Sequence, residues 1–329
     1  MDKRNPLIEV QYREHVDWVL LGIPFGIVLL YFGSEWMVEG AKDIALRLGV
    51  TPFVVGLTIV ALGSSSPEAV TSVISASNPD IIIGNIVGSN IANVGLVVGA
   101  SAVIGTLVCR YETTKFELAA MVIAVSSIAV LSLSGMLGFY QGIVLLAALV
   151  VFILMIYRLK KDTAEGEDPL EKDLSVSVPK CILMVIAGML ALYFGADVFV
   201  DGAVSLAGEL GVSELLIGLL VVAIGSCLPE LCICLMASYR GEREIVISNV
   251  IGSVIFNSFF ALGLGALLTD ITIADSLLTF HMPVMIVLSV ILFVMIRMNG
   301  NVTRAKGILL LCVYVVYIAA MALVPNLTY

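Results

Sequence analysis

Two short stretches hold the residues best suited to chemistry. Gly63-Ser64-Ser65-Ser66-Pro67-Glu68 and Gly225-Ser226-Cys227-Leu228-Pro229-Glu230 each set a carboxylate directly after a proline, inside otherwise apolar sequence. Proline lacks a backbone N–H and clashes with the preceding turn, so each stretch is expected to kink or break its helix. Such a break frees carbonyl oxygens, here near Ala61, Ser64, Ala223 and Ser226, and at membrane depth these are tolerated only where they line a cavity or bind something. A charged side chain at that depth costs at least about 2.5–3.5 kcal/mol. No Lys, Arg or His lies in the middle of an apolar run, so the natural partner for Glu68 and Glu230 is a cation from solution.

The donor set narrows the ion. Two carboxylates supply up to four oxygens, and freed carbonyls add more. Ca2+ accepts about 6–8 oxygens in flexible geometry, whereas Mg2+ demands a tighter octahedron and holds its water. All-oxygen ligation disfavours Zn2+ and Cu2+. Two negative charges match one divalent ion. Ser89, Asn93, Ser253 and Asn257, in the runs that follow, add hydroxyls and amides suited to dehydrated Na+. Asn90, beside Asn93, faces differently and reads as a structural hydrogen-bonder.

The elements that position these groups follow from composition. Of 329 residues, 60% are hydrophobic and 13% charged, with mean hydropathy +1.09. Soluble chains are nearer 45–50% apolar and about 25% charged. That excludes an ordinary cytosolic enzyme, a disordered chain and a secreted disulfide scaffold, and leaves an integral membrane protein. The net charge of −9 gives no footprint for nucleic acid. The six cysteines read as reduced, small apolar residues. The charged N-terminal start lacks an apolar run typical of a cleaved signal peptide, so the first apolar run is expected to be a retained span.

A bilayer core needs roughly 20 apolar residues per helix. Runs near 17–39, 52–77, 81–108, 116–134, 137–157, 180–203, 213–238, 245–268, 275–297 and 306–324 meet that length and predict ten transmembrane helices. Residues 1–16 form an extracytoplasmic N-terminal segment, 17–157 a first transmembrane repeat, 158–179 a cytoplasmic linker and 180–329 a second transmembrane repeat. With ten spans, 14 Lys and Arg fall on one side and 3 on the other. The positive-inside rule then puts both termini outside and the central loop in the cytoplasm, in the cell membrane.

The chain also repeats itself. Residues 31–68 align without gaps with 193–230, and close to half of the positions are identical. Residues 84–93, GNIVGSNIAN, align with 248–257, SNVIGSVIFN. Shared Gly, Pro, Glu, Asn and Ser exceed what two apolar helices share by composition. Five spans per half make the second half enter from the opposite face, giving inverted repeats with a site at the midplane, an arrangement typical of secondary transporters. Glu35, Glu39, Asp197 and Asp201 read as interfacial or as lining an access path. Glu117 and His281, at the starts of spans four and nine, read as interfacial.

ALGSSSPE with GNIVGSNIAN, and AIGSCLPE with SNVIGSVIFN, resemble the two alpha repeats of the cation/Ca2+ exchanger superfamily, near its prokaryotic sodium/calcium exchangers. The resemblance spans both halves. It implies an all-α integral membrane protein of two inverted five-helix repeats that exchanges Ca2+ for Na+ and is not an enzyme. It implies Ca2+ and Na+ as substrates, no cofactor, a lipid bilayer as surroundings and no obligatory protein partner. By motif, Glu68 and Glu230 would bind Ca2+ with main-chain oxygens of Ser64 and Ser226. Ala61, Ser64, Ser65 and Ser89 would form one Na+-binding set, with Ala223, Ser226 and Ser253 in its counterpart. Asn93 and Asn257 would line the centre, and spans one and six would slide to alternate access.

Two positions depart from that pattern. Cys227 stands where the second repeat usually has Ser or Thr, and sulfur is a poor Na+ ligand. Asn257 stands where close relatives often carry Asp. Both leave room for a proton as counter-ion, so a proton/Ca2+ exchanger is the nearest alternative. A cation channel is a poorer fit, because its pore is normally shared among symmetric subunits. An intramembrane hydrolase would need a midspan base beside the serines.

Overall fold

The computed structural model describes residues 21–48, 50–164, 177–210 and 225–324. Long apolar runs have no polar backbone partner in lipid except themselves, so they close their hydrogen bonds within helices. The helices are α1 Gly22–Leu48, α2 Pro52–Ile74, α3 Pro79–Ile104, α4 Tyr111–Ser132, α5 Phe139–Ala164 and α6 Val178–Glu209. They continue as α7 Leu228–Tyr239, α8 Arg243–Leu268, α9 Leu277–Asn299 and α10 Arg304–Leu323. Among the described residues, eight of these, α2 to α6 and α8 to α10, are long and apolar enough to cross a membrane. They coincide with expected spans two to six and eight to ten. α1 overlaps the first expected span, and α7 is the described end of the seventh. The expected segments 1–16 and most of 158–179, and residue Ala223, lie outside the described residues.

Proline marks many of the starts, at the first or second position of α2, α3, α6 and α7, where its missing N–H costs no intrahelical bond. Gly300, at φ 63°, ends α9 with its N–H on the Ile296 carbonyl at 2.8 Å, a left-handed turn that glycine adopts without strain.

The helices form a buried frame and a lipid-facing rim. The most apolar stretch of α8 is 94% buried against protein, compared with 28% for α5 and for α10. α8 packs on α2, α4 and α7, and α10 packs on α3 as α5 packs on α8. Outward faces carry large apolar side chains such as Ile123, Val130, Tyr140 and Val150, as lipid contact requires.

The helical expectation meets one small exception. Two-residue strands join the halves at two places: β1 Leu107–Val108 pairs antiparallel with β4 Asn301–Val302, and β2 Met136–Leu137 with β3 Ile271–Thr272.

α1 and α6 form the most extensive helix pair. Their seam is made of Gly26, Gly33 and Gly40 on one side and Gly188 and Gly195 on the other. A methyl added at Gly33 would lie 2.9 Å from the Leu192 nitrogen, and one at Gly188 would lie 2.8 Å from the Gly33 carbonyl. The two backbones therefore touch, as small residues spaced along transmembrane helices permit.

Candidate functional site: a buried cluster of oxygen donors

Each proline-containing stretch bends at one residue. Ser65, at φ −88° and ψ 5°, separates helical segments Ala61–Ser64 and Ser66–Ile74 of α2. Cys227, at φ −103° and ψ 11°, precedes α7 in the same way. The bend starts a new helical segment, and Glu68 and Glu230 each fall in its first turn. There the N-terminal end of the helix dipole favours a carboxylate. This local geometry explains how both acids are held with residual exposure of only 1% and 0%.

The next helix of each half contributes in parallel. Asn93 begins a π-helical segment, Asn93–Val98, within α3, and Asn257 begins another, Asn257–Ala261, within α8. Such bulges widen the helix locally and recur at functional sites. Both asparagines are fully buried.

Polar satisfaction is incomplete around these acids and asparagines. Both oxygens of Glu68, Oε2 of Glu230, and the amide oxygens and nitrogens of Asn93 and Asn257 are buried without a hydrogen-bond partner. Leaving such groups unpaired costs about 1–3 kcal/mol each, and more when charged, so their concentration here marks a place built for a ligand. Asn90, expected to be a structural hydrogen-bonder, donates to Ser258 Oγ at 3.1 Å, and its own Oδ1 is also buried without a partner.

The remaining candidates pair across the two halves. Ser65 Oγ donates to Glu230 Oε1 at 3.2 Å. Ser64 Oγ lies 3.4 Å from Ala61 O, from Asn249 Oδ1 and from Ser253 Oγ. Ser89 Oγ lies 3.5 Å from Ser226 Oγ. These separations exceed the ~2.7–2.8 Å usual for O–H···O hydrogen bonds. Those of 3.4 and 3.5 Å fall within the edge, about 3.3–3.7 Å, of an octahedron whose oxygens stand about 2.3–2.6 Å from a central cation. Ser64 thus adjoins Ser253, and Ser89 adjoins Ser226, each from the opposite half. Cys227 is buried beside this cluster. Asn249 was not singled out from the sequence. Its signal was present, since Asn249 and Ser253 stand one turn apart on α8 and share a face.

The outlying acids divide. Glu35 pairs with Arg240, and Lys42 pairs with Glu242 at 2.5 Å, so α1 is tied to the turn between α7 and α8. Glu39 lines a charged cleft of about 410 Å3 there with Lys42, Asp43 and Arg240. Asp197 and Asp201 lie along α6. Glu117 and His281 are a correction to the sequence reading: both are buried rather than interfacial. His281 Nδ1 lies 2.8 Å from the Tyr317 hydroxyl. Glu117 falls nearly two turns inside α4 and His281 about one turn inside α9, positions that hydropathy alone assigns to the boundary. Among the described residues no disulfide joins the cysteines, of which Cys109, Cys181, Cys227 and Cys234 are buried and Cys312 is exposed.

Apolar helices bent at buried acids, enclosing unpartnered oxygen donors, define a membrane transporter of cations. The chain matches the family model for sodium/calcium exchanger proteins over residues 18–158 and 180–323, and it belongs to that family. This is a family of exchangers, which move ions. The chain is 31% identical to the sodium/calcium exchanger MaX1 of Methanosarcina acetivorans over 336 residues, covering 90% of this chain and 96% of that one. It is 34% identical to a putative antiporter, CaxA, of Alkalimonas amylolytica, covering 89% and 95%. Its fold superposes on the sodium–calcium exchanger NCX_Mj, soaked with 100 mM Na+ and 10 mM Sr2+, with a TM-score of 0.80 at 34% identity, covering 93% of this chain and 99% of that one.

Proposed function

We propose that this chain is a secondary antiporter that moves Ca2+ against Na+ by alternating access, through a midplane site built from Glu68, Glu230 and the oxygens around them. One observation carries this reading. Unpartnered carboxylate and amide atoms are buried where neighbouring oxygens are spaced like the edges of a cation's coordination shell.

Glu68 and Glu230 supply the two formal charges, which one Ca2+ neutralises. Main-chain oxygens of Ser64 and Ser226 extend the Ca2+ shell. Ala61, Ser64, Ser65 and Ser89 serve Na+ on one side, with Ala223, Ser226 and Ser253 on the other. Asn93 and Asn257 line the centre. Cys227 weakens the Na+ shell of the second half, because a thiol is a softer donor than a hydroxyl. Ca2+ and Na+ compete for the same carboxylates. A filled, neutralised site can cross between access states, whereas an empty one leaves two buried charges unpaired and resists crossing.

The repeat supplies the framework: ten helices in two inverted five-helix halves, in the cell membrane, with both termini outside and the central loop in the cytoplasm. The paired helices α1 and α6 slide as one unit along the rest.

Flux into proteoliposomes, with Na+, K+ and H+ gradients imposed singly, tests the proposal. Uphill Ca2+ uptake driven by an outward Na+ gradient is expected. Uptake driven by a pH gradient without Na+ would reassign the counter-ion to H+. Only downhill movement would make the protein a channel.

A further inference from the structure

The two strand clasps carry opposite charge. The segments around β2 and β3, 131–141 and 268–276, hold Asp270 and Asp275 and no Lys or Arg. Those around β1 and β4, 101–115 and 296–306, hold Arg110, Lys115, Arg297, Arg304 and Lys306 against a single acid, Glu112. We propose that the β1–β4 clasp, together with Arg243 of the neighbouring α7–α8 turn, binds the phosphate headgroup of an anionic phospholipid whose acyl chains lie along Val103, Ile104 and Ile308.

The first support is convergence. Arg304 Nη2 reaches the Ile104 carbonyl at 3.4 Å, and a methyl at the next residue, Gly105, would lie 3.8 Å from Arg243 Nε. Two guanidinium groups, one from α10 and one from α8, therefore stand at the same end of α3. The bond from Cys109 N to Gly300 O, 2.8 Å long, brings the segment leading to Arg110 against the turn that follows Arg297. The positive-inside rule accounts for basic residues on this face, but not for their gathering at one seam.

The second support is availability. Lys115 is bonded to Glu112 at 2.9 Å, and Lys306 spends its ammonium on the Met295 and Asn301 carbonyls at 3.0 and 2.7 Å. The four arginines are exposed, and among the described residues none of them pairs with a carboxylate. Of the acids flanking Arg243, Glu242 is held by Lys42 and Glu244 is exposed. A guanidinium fork matches two phosphate oxygens at once. Arg110 directly precedes α4, while Arg243 and Arg304 open α8 and α10. A cation at the start of a helix opposes the helix dipole, so helix stability does not explain these placements. An anion is favoured by the same dipole ends and by the arginines.

The third support is the apolar wall, which a soluble anion would not need. Val103 and Ile104 end α3 at the carbonyl that Arg304 reaches, and both are exposed. Ile308 is exposed one turn after Arg304, on the same helix face. A phosphate held by the arginines would thus carry its chains directly onto lipid-facing side chains. Such a lipid touches α3 of the first half and α8 and α10 of the second.

The full chain in nonionic detergent is titrated with phosphatidylglycerol, phosphatidylcholine or glycerol 3-phosphate, and native mass spectrometry reads the bound species. Phosphatidylglycerol should bind at least about tenfold more tightly than phosphatidylcholine, and glycerol 3-phosphate should not displace it. Each arginine beside an anionic headgroup is worth about fivefold in affinity, so Arg243→Gln/Arg304→Gln should weaken phosphatidylglycerol binding at least about tenfold. Arg47→Gln/Lys180→Gln removes equal charge at the end of α1 and the start of α6, and should weaken it less than about threefold. Equal losses in the two double variants, no preference for phosphatidylglycerol, or displacement by glycerol 3-phosphate would overturn the assignment. If the first double variant does not fold, Arg243→Gln and Arg304→Gln are measured singly, and binding unmoved in both would overturn it just as well. None of these outcomes depends on which ions the chain exchanges.

Discussion

Ser65 in the first half and Cys227 in the second occupy the same place in the repeat, and they do different things. Ser65 donates to Glu230 across the halves at 3.2 Å, while neither oxygen of the matching acid, Glu68, has a hydrogen-bond partner. The edges of the protein differ in the same sense. On α1, Glu35 pairs with Arg240 and Lys42 with Glu242. The corresponding residues on α6 are Asp197 and Val204, and those matching Arg240 and Glu242 are Asn78 and Asp80, which offer no cation at all. Duplication thus reproduces the frame, with its bends, acids and π segments, while single substitutions make its two ends unequal. Unequal ends predict different ion affinities on the two faces, which half-saturation measured from each side checks.

Substitutions can test how deep that inequality runs. The acids should be the deepest common element. Glu68→Gln and Glu230→Gln are each expected to cut Na+-driven Ca2+ uptake at least about a hundredfold, since each removes a formal charge from a two-charge site. A mutant with full uptake would show that the halves do not share one site. Next in size is the glycine seam. Gly33→Val forces side-chain atoms into the Leu192 and Gly188 backbone. It should lower thermal stability in detergent by about 1–3 kcal/mol, whereas an unchanged melting temperature would mean that the seam is not tightly closed.

Cys227→Ser should erase the chemical difference at the site and reduce the Na+ half-saturation about three- to fivefold. An unchanged Na+ dependence would remove Cys227 from the ion's surroundings. The smallest effect belongs to the ion pairs. Arg240→Gln breaks the link to Glu35, whose members are 37% and 22% exposed, so at most about 1 kcal/mol is at stake. It should change the ratio of Ca2+ half-saturations on the two faces by about twofold, and the change should shrink in high salt. Equal shifts on both faces would count against α1 being held at one end.

Much of this arrangement was legible in the sequence because apolar runs and breaker residues act locally. The runs at 52–77 and 245–268 became helices with ends within a few residues, since nothing but helix closure satisfies a backbone in lipid. The pairing of Pro67 with Glu68 and of Pro229 with Glu230 announced both bends. What escaped notice depends on contacts between distant residues. The π segments at Asn93 and Asn257 carry no local signature. The contact between Ser64 and Asn249 joins residues 185 apart, and no spacing rule connects them. Glu117 and His281 looked interfacial because they fall near the starts of their runs, but α4 packs on α9 and His281 packs against Tyr317 of α10, and both side chains are buried. Ala223, expected beside Ser226, lies outside the described residues.

The strand pairs have a further consequence. β1 with β4 and β2 with β3 each join one half to the other, and bonds from Cys109 N to Gly300 O and from Ile273 N to Gly135 O reinforce them. The α1–α6 seam and the packing of α5 on α8 also run between halves. The halves clasp each other as two subunits would, so peptide continuity at their junction is expected to be dispensable. Cut there and made as two polypeptides in the same cell, the molecule should reassemble and purify through a tag on either piece.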